Sequence, residues 1–267
     1  MNRRYFFLAR AIVALAPIIA AAHVPTPASA QMNGSQIMTE VYNRPKGNSM
    51  AAELAMSITN ARGSVRERSI QQYQSDERGV EKKLMFFTAP ADVKNTSFMT
   101  WAYDNGQADE QWIYLPAMRR IRRIASDSKS DSFMGSDFTY DDMTMRHPDA
   151  DTHRSTGEET IKGKKYMVVE SVPKEARSDY AKTLSWIDPS TYVGIRKDFV
   201  DSRGELVRRL TVADAKQIDG FWVITEMTME DLSKKSSTTI KMRNVSFNNG
   251  LGDDFFSERQ MQKGPQR

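Results

Sequence analysis

The sequence predicts a mainly β chain folded as one large antiparallel domain, and three observations predict it. Apolar and polar residues alternate over short runs, the period-2 signature of half-buried strands. Turn signals built from Gly, Asn, Asp and Pro recur at roughly 8–12-residue spacing, as in sandwiches and barrels. Helical periodicity is confined to one short stretch near the start.

The elements follow in order. Arg3, Arg4 and Arg10 precede the uncharged apolar run Ala11 to Ala22, which Pro25 and Pro27 break before the small-residue sequence Ala28-Ser29-Ala30. This is the layout of a cleaved signal peptide over residues 1–30, with a core too short to span a bilayer comfortably. Arg3-Arg4 before Phe6-Phe7 also resembles a twin-arginine export signal. Either route crosses the inner membrane, so a soluble periplasmic protein starting near Gln31 is expected, with residues 31–267 as a single domain. Ser35 is expected to cap a short helix with Ile37, Met38 and Val41 on its buried stripe, ending at Pro45 and Gly47. Strand patterns then run over Leu54 to Thr59, Val65 to Tyr73, Val80 to Thr88, Ser97 to Tyr103 and Asp109 to Leu115, with a turn or short helix at Pro90 to Thr96. Pro116-Ala117 turns the chain into Arg119 to Ile124. Ser126 to Asp151 lacks any period and is long for a loop, so it reads as a lid-like insertion with some short helix. Strands resume at Thr156 to Ile161, Lys165 to Val172, Thr183 to Ile187, Tyr192 to Val200, Glu205 to Gln217, Phe221 to Asp231 and Thr238 to Phe247, separated by signals such as Lys162-Gly163 and Asp219-Gly220. About eleven or twelve strands are expected, neighbours in sequence being neighbours in the sheet.

Composition removes several function classes. The formal charge is +4, but removal of the signal turns 38 basic against 34 acidic residues into 35 against 34. The basic balance is thus no argument for nucleic acid. The chain has no Cys, which excludes disulfides, thiolate metal sites, a cysteine nucleophile and a lipid-modified cysteine. With three His, one of them His23 in the signal, a multi-histidine metal site is not expected. Asp137, Asp141, Asp142, Asp149 and Asp151 lack the spacing and closing glutamate of an EF-hand. Asp142, His147 and a serine can be drawn as a triad, but no Gly-x-Ser-x-Gly elbow is present. No cofactor, metal or catalytic residue is expected, and the chain reads as a non-enzyme.

Two features suggest binding instead. Met is abundant, and flexible thioethers line surfaces that adapt to more than one shape. Met56, Ile58, Met85, Phe87, Met99, Trp101, Tyr103, Trp112 and Tyr114 are the expected lining of a cavity on the concave sheet face; an ordinary packed core is the competing reading. Arg119, Arg120, Arg122 and Arg123 place four guanidinium groups in five residues, a chemistry suited to phosphate or carboxylate recognition on a lipid head group or acidic partner. A solvated face paired with nearby Asp residues is the alternative.

The run Trp112-Ile113-Tyr114-Leu115-Pro116, the Arg119 to Arg123 cluster and Phe133-Met134-Gly135-Ser136-Asp137-Phe138-Thr139-Tyr140-Asp141-Asp142 together resemble the outer-membrane lipoprotein-sorting-like (LolA-like) periplasmic proteins. Trp186-Ile187-Asp188, Gly220-Phe221-Trp222 and Asp254-Phe255-Phe256 agree. The resemblance implies a LolA/LolB-like half-open antiparallel β-barrel with short covering helices and a hydrophobic cavity. It also implies a carrier or chaperone role for a lipid or the acyl chain of a lipoprotein, and partnership with an RND/MMPL-type inner-membrane transporter. A non-carrying subunit docked on such a transporter, or a lipid-ester hydrolase, are the other readings. The insertion of residues 126–151 goes beyond the lipoprotein carrier itself.

Overall fold

Thirteen strands form one antiparallel sheet in the computed structural model, which describes residues 32–175 and 180–265. The expected signal segment lies outside these residues. Helix α1 (Gly34–Tyr42) leads into β1 (Ser49–Thr59), β2 (Val65–Glu77), β3 (Val80–Ala89), β4 (Ser97–Tyr103), β5 (Glu110–Leu115) and β6 (Arg120–Arg123). After a long connection come β7 (Asp151–Ile161), β8 (Lys164–Pro173), β9 (Lys182–Ile187), β10 (Gly194–Val200), β11 (Leu206–Ile218), β12 (Phe221–Asp231) and β13 (Ser236–Phe247), then helix α2 (Glu258–Lys263). The order is β6-β5-β4-β3-β2-β1-β13-β12-β11-β10-β9-β8-β7, so the sheet stays open, with β6 and β7 at its edges.

Local chemistry explains the hairpins. Arg78-Gly79, Lys162-Gly163 and Asp219-Gly220 each join paired strands with both residues at positive φ, the two-residue turn whose twist matches that of the strands. Register shifts at Ala51/Glu53, Ser155/Gly157 and Val212 to Ala215 are bulges that bend the sheet. The curvature is visible in the core. Ile113 of β5 and Phe199 of β10 sit eight strands apart, roughly 38 Å on a flat sheet at 4.7–4.9 Å per strand, yet they share one buried cluster.

The count of thirteen corrects the expected eleven or so. The four-residue β6 is too short to show a period; its regularity comes from pairing with β5. Strands β1 and β7 also begin five residues earlier than their alternation suggests. At α1 the cap is Asn33, which accepts from the Gln36 amide in a capping box, and Ser35 lies within the helix. Ile37 is buried against Val169 of β8 and Ile187 of β9, with Met38 and Val41 beside it. Gly34 allows this seating, because a Cβ there would meet the Arg154 and Ser155 backbone at 2.6–2.7 Å.

Candidate functional site

Each face of the curved sheet has its own apolar layer. The inner one is made by Leu54, Met56 and Ile58 of β1, Ile70 of β2, Met85 and Phe87 of β3, Phe98 of β4 and Ile113 of β5, continued by Phe199, Met229 and Ile240 across the seam. The outer one is made by Tyr73, Leu84, Phe86 and Met99, with Trp101, Trp112, Tyr114 and Ile121 beside them. It is covered by Leu251, Phe255, Phe256 and Met261 of the C-terminal segment.

The predicted lining therefore divides. Met56, Ile58, Met85 and Phe87 belong to the inner wall, whereas Met99, Trp101, Trp112 and Tyr114 belong to the outer layer. The reason is register. Met85 is paired with Phe98, and Leu84 with Met99, so odd positions of β3 share a face with even positions of β4. Parity within one strand cannot reveal this. Tyr103 lies at the end of β4 and donates its hydroxyl to Glu110 at 3.1 Å. The arginines also divide. Arg122 pairs opposite Ile113 and so faces inward, while Arg123 pairs opposite Trp112 and forms an ion pair with Glu110. Arg119 adopts the left-handed conformation after Pro116–Met118, beside the exposed Met118.

The connection between β6 and β7 occupies the inner wall. It carries four short 3-10 turns, at Ser126–Ser128, Phe133–Gly135, Asp141–Met143 and Pro148–Ala150. Phe133, Phe138 and Met143 are buried against the wall. The Phe133 ring stands 5.0 Å from Phe98, 6.0 Å from Phe87 and 5.6 Å from Tyr140. Met134 and Gly135 both take positive φ in the tight turn that presents Phe133. The Ser136 hydroxyl donates to the Phe133 carbonyl at 2.7 Å, and the Phe133 amide to the Phe138 carbonyl at 2.8 Å. The groove expected to be open is thus filled by an aromatic plug from the chain itself.

Polar pegs hold the plug. The Asp137 carboxylate accepts from Ser236 Oγ and, at 2.7 Å, from Thr238 Oγ1, which in turn accepts from the Asp137 amide. Asp142 pairs with Arg208 and accepts from Thr139. Gln111 Nε2 donates to the Tyr140 carbonyl at 2.8 Å, and Lys83 Nζ to the Met143 carbonyl at 2.9 Å. Arg146 pairs with Asp151. Asp137, Asp142 and Asp151, three of the aspartates that composition grouped, thus have separate partners, and His147 packs edge-on against Tyr42 rather than on Asp142. His153 instead bonds Ser171 and the Pro148 carbonyl.

Beyond the apolar wall the inner face turns polar. Burial would raise the pKa of Glu81, next on the inner face of β3 after Lys83, but Lys83 and Lys46 outweigh it and lower the pKa from its ordinary value. Glu81 borders a cavity of about 550 Å³, also lined by Tyr42, Arg44, Lys46, Asp76 and Asp104. No helix among the described residues is long and apolar enough to cross a membrane.

A family model described only as an uncharacterized protein family matches residues 79–263. A DUF1329 family protein from Desulfovibrio piger is 31% identical, with a TM-score of 0.81 over 86% of this chain and 98% of that one. The same figures hold for a domain from Vibrio parahaemolyticus described as an outer membrane lipoprotein-sorting protein. A LolA superfamily protein from Nitrosomonas europaea, 16% identical, shares the fold at a TM-score of 0.67, over 86% of this chain and all of that one. No curated protein matches the chain.

Proposed function

The chain belongs to the family of these DUF1329 and outer membrane lipoprotein-sorting proteins and has their LolA-like fold, and from that premise we propose that it is a periplasmic carrier. Its cargo is the acyl part of a lipid or lipidated protein, held in the groove that the plug now fills. The plug itself carries this reading. An inner wall of Met, Phe, Ile and Leu is covered by a segment bound through side-chain pegs and packing, so the segment can leave without unpairing any of the thirteen strands.

The energies are of similar size. Burying Phe133, Phe138 and Met143 is worth about 1.5–3 kcal/mol each, roughly 5–9 in all. A sixteen-carbon chain gains about 0.8 kcal/mol per CH₂, on the order of ten. Exchange of plug for acyl chain is then close to balanced, as uptake followed by release requires. The arginine-rich turn beside Met118 offers a docking point for a lipid head group or an RND/MMPL-type transporter.

Native mass spectrometry of protein purified from periplasm tests the reading. Lipid-bound mass is the expected result. Lipid-free protein that also takes up no acyl chain from vesicles refutes it. If that protein captures a transporter, it is a docking subunit that keeps its plug seated.

A further inference from the structure

Lys197 lies on β10, on the inner face, with Ser185 of β9 and Leu210 of β11 opposite it in register. Its side chain is half-buried there. Asp141, Asp142 and Arg146 of the plug segment and Asp151 of β7 lie within electrostatic range. Among the described residues none of these carboxylates comes within 4.0 Å of its ammonium. Two of the three have other partners, Arg208 for Asp142 and Arg146 for Asp151. The ammonium therefore makes no ion pair, and its partial loss of water pushes the Lys197 pKa down.

The surroundings point to what would complete it. Lys197 Nζ stands 5.1 Å from the ring centre of Phe199, a member of the apolar wall, so the ammonium marks the place where that wall ends. The Tyr180 ring packs edge-on 5.3 Å from Phe199. Burial pushes the Tyr180 hydroxyl up to about 12, so it stays protonated. Burial likewise pushes the Asp141 carboxyl up.

We infer that Lys197 is the anchor of an anion site at the polar end of the groove, taking the carboxylate or phosphate of an amphiphile whose chain lies along Phe199 and the wall beyond. This rests on the carrier reading above and adds to it the charge of the cargo. An apolar cargo with a neutral head leaves Lys197 without an ion-pair partner; an anionic head supplies one.

The test uses the mature chain, stripped of lipid, titrated with hexadecanoate, hexadecanol and phosphatidylglycerol in a fluorescent-probe displacement assay. Wild type is expected to bind hexadecanoate at least tenfold more tightly than hexadecanol. Lys197→Met should bind the two equally, with hexadecanol affinity unchanged, and Lys197→Arg should restore the preference. Lys197→Gln serves as a second neutral variant, and circular dichroism confirms the fold of each. Dependence of phosphatidylglycerol binding on Lys197 assigns a phosphate head, its absence a carboxylate. Retention of the anion preference in both neutral variants overturns the anion site alone. Failure of every ligand to bind wild type overturns the carrier reading and the site with it.

Discussion

Truncating Phe133 to alanine separates a displaceable plug from an ordinary core. The side chain is fully buried between Phe87, Phe98 and Tyr140. Removing a buried Phe costs about 3–5 kcal/mol. If residues 126–150 leave as a unit, that loss falls on the seated state alone. At about 1.4 kcal/mol per tenfold, the unseated population rises by up to roughly 10²-fold to 4 × 10³-fold. Apparent affinity for a fluorescent fatty acid rises by the same factor, until the plug is mostly out. Global stability falls by no more than the energy that seats the plug. Phe86→Ala is the control: it is equally buried, but in the outer layer under Phe255 and Phe256. It should lower the urea midpoint and leave acyl affinity alone. Amide exchange of residues 126–150 should accelerate in Phe133→Ala only. Unchanged acyl affinity in Phe133→Ala, or an equal rise in Phe86→Ala, refutes the displaceable plug.

Removing the Asp137 pegs with Ser236→Ala and Thr238→Val should cost roughly 1.5–3 kcal/mol per charge-assisted bond and speed amide exchange at Phe133 to Tyr140, read by mass spectrometry. Charge reversal at Arg120 and Arg122 should weaken binding to anionic vesicles or a transporter partner with little change in melting temperature, since neither makes a salt bridge among the described residues; undiminished binding removes the docking role. Glu81→Gln should cost about 1–3 kcal/mol at neutral pH by removing the charged partner that the half-buried Lys46 and Lys83 share. Because Glu81 has a depressed folded pKa, its contribution is present above the ordinary carboxylate value and lost as pH falls through the folded one, so the variants should converge in acid denaturation curves. For Lys197 the folded pKa is depressed below 10.5, so wild-type stability should rise with pH between the two values. Lys197→Met should be the more stable protein at neutral pH, with its advantage shrinking across that window.

The strands were legible because alternation and x-Gly turns act locally, at Arg78-Gly79, Lys162-Gly163 and Asp219-Gly220 alike. Which face each strand presents was not, because it depends on how strands are paired. Trp101 and Trp112 pack together 5.4 Å apart as expected of neighbours, but on the outer face beneath the C-terminal segment. The segment of residues 126–151 was legible as an anomaly, and its Gly-Ser-Asp-Phe sequence marked it as specific. Its inward direction was not, since Phe133 and Phe138 follow no strand or helix period and are placed by the Met134-Gly135 turn. Lys197 gave no signal at all. A lysine in a charged strand reads as solvated until the curvature of the sheet encloses it.

Eleven of the twelve strand pairings join consecutive strands; the pair β1–β13 alone is distant in sequence. The chain is therefore two meanders, β1–β6 and β7–β13, each built from local contacts, docked along one seam. Loop-closure entropy is concentrated in that one step and grows only slowly with the length enclosed. Each meander can form its hairpins early, and joining Leu54 and Met56 to Met242 and Ile240 then sets the pace. Truncations along this line should slow folding, whereas truncations in the peripheral hairpins should mainly speed unfolding. The connection bearing the plug ties one meander to the other, and its wall exists as a continuous surface only after they meet. The groove is thus a product of the last step of assembly.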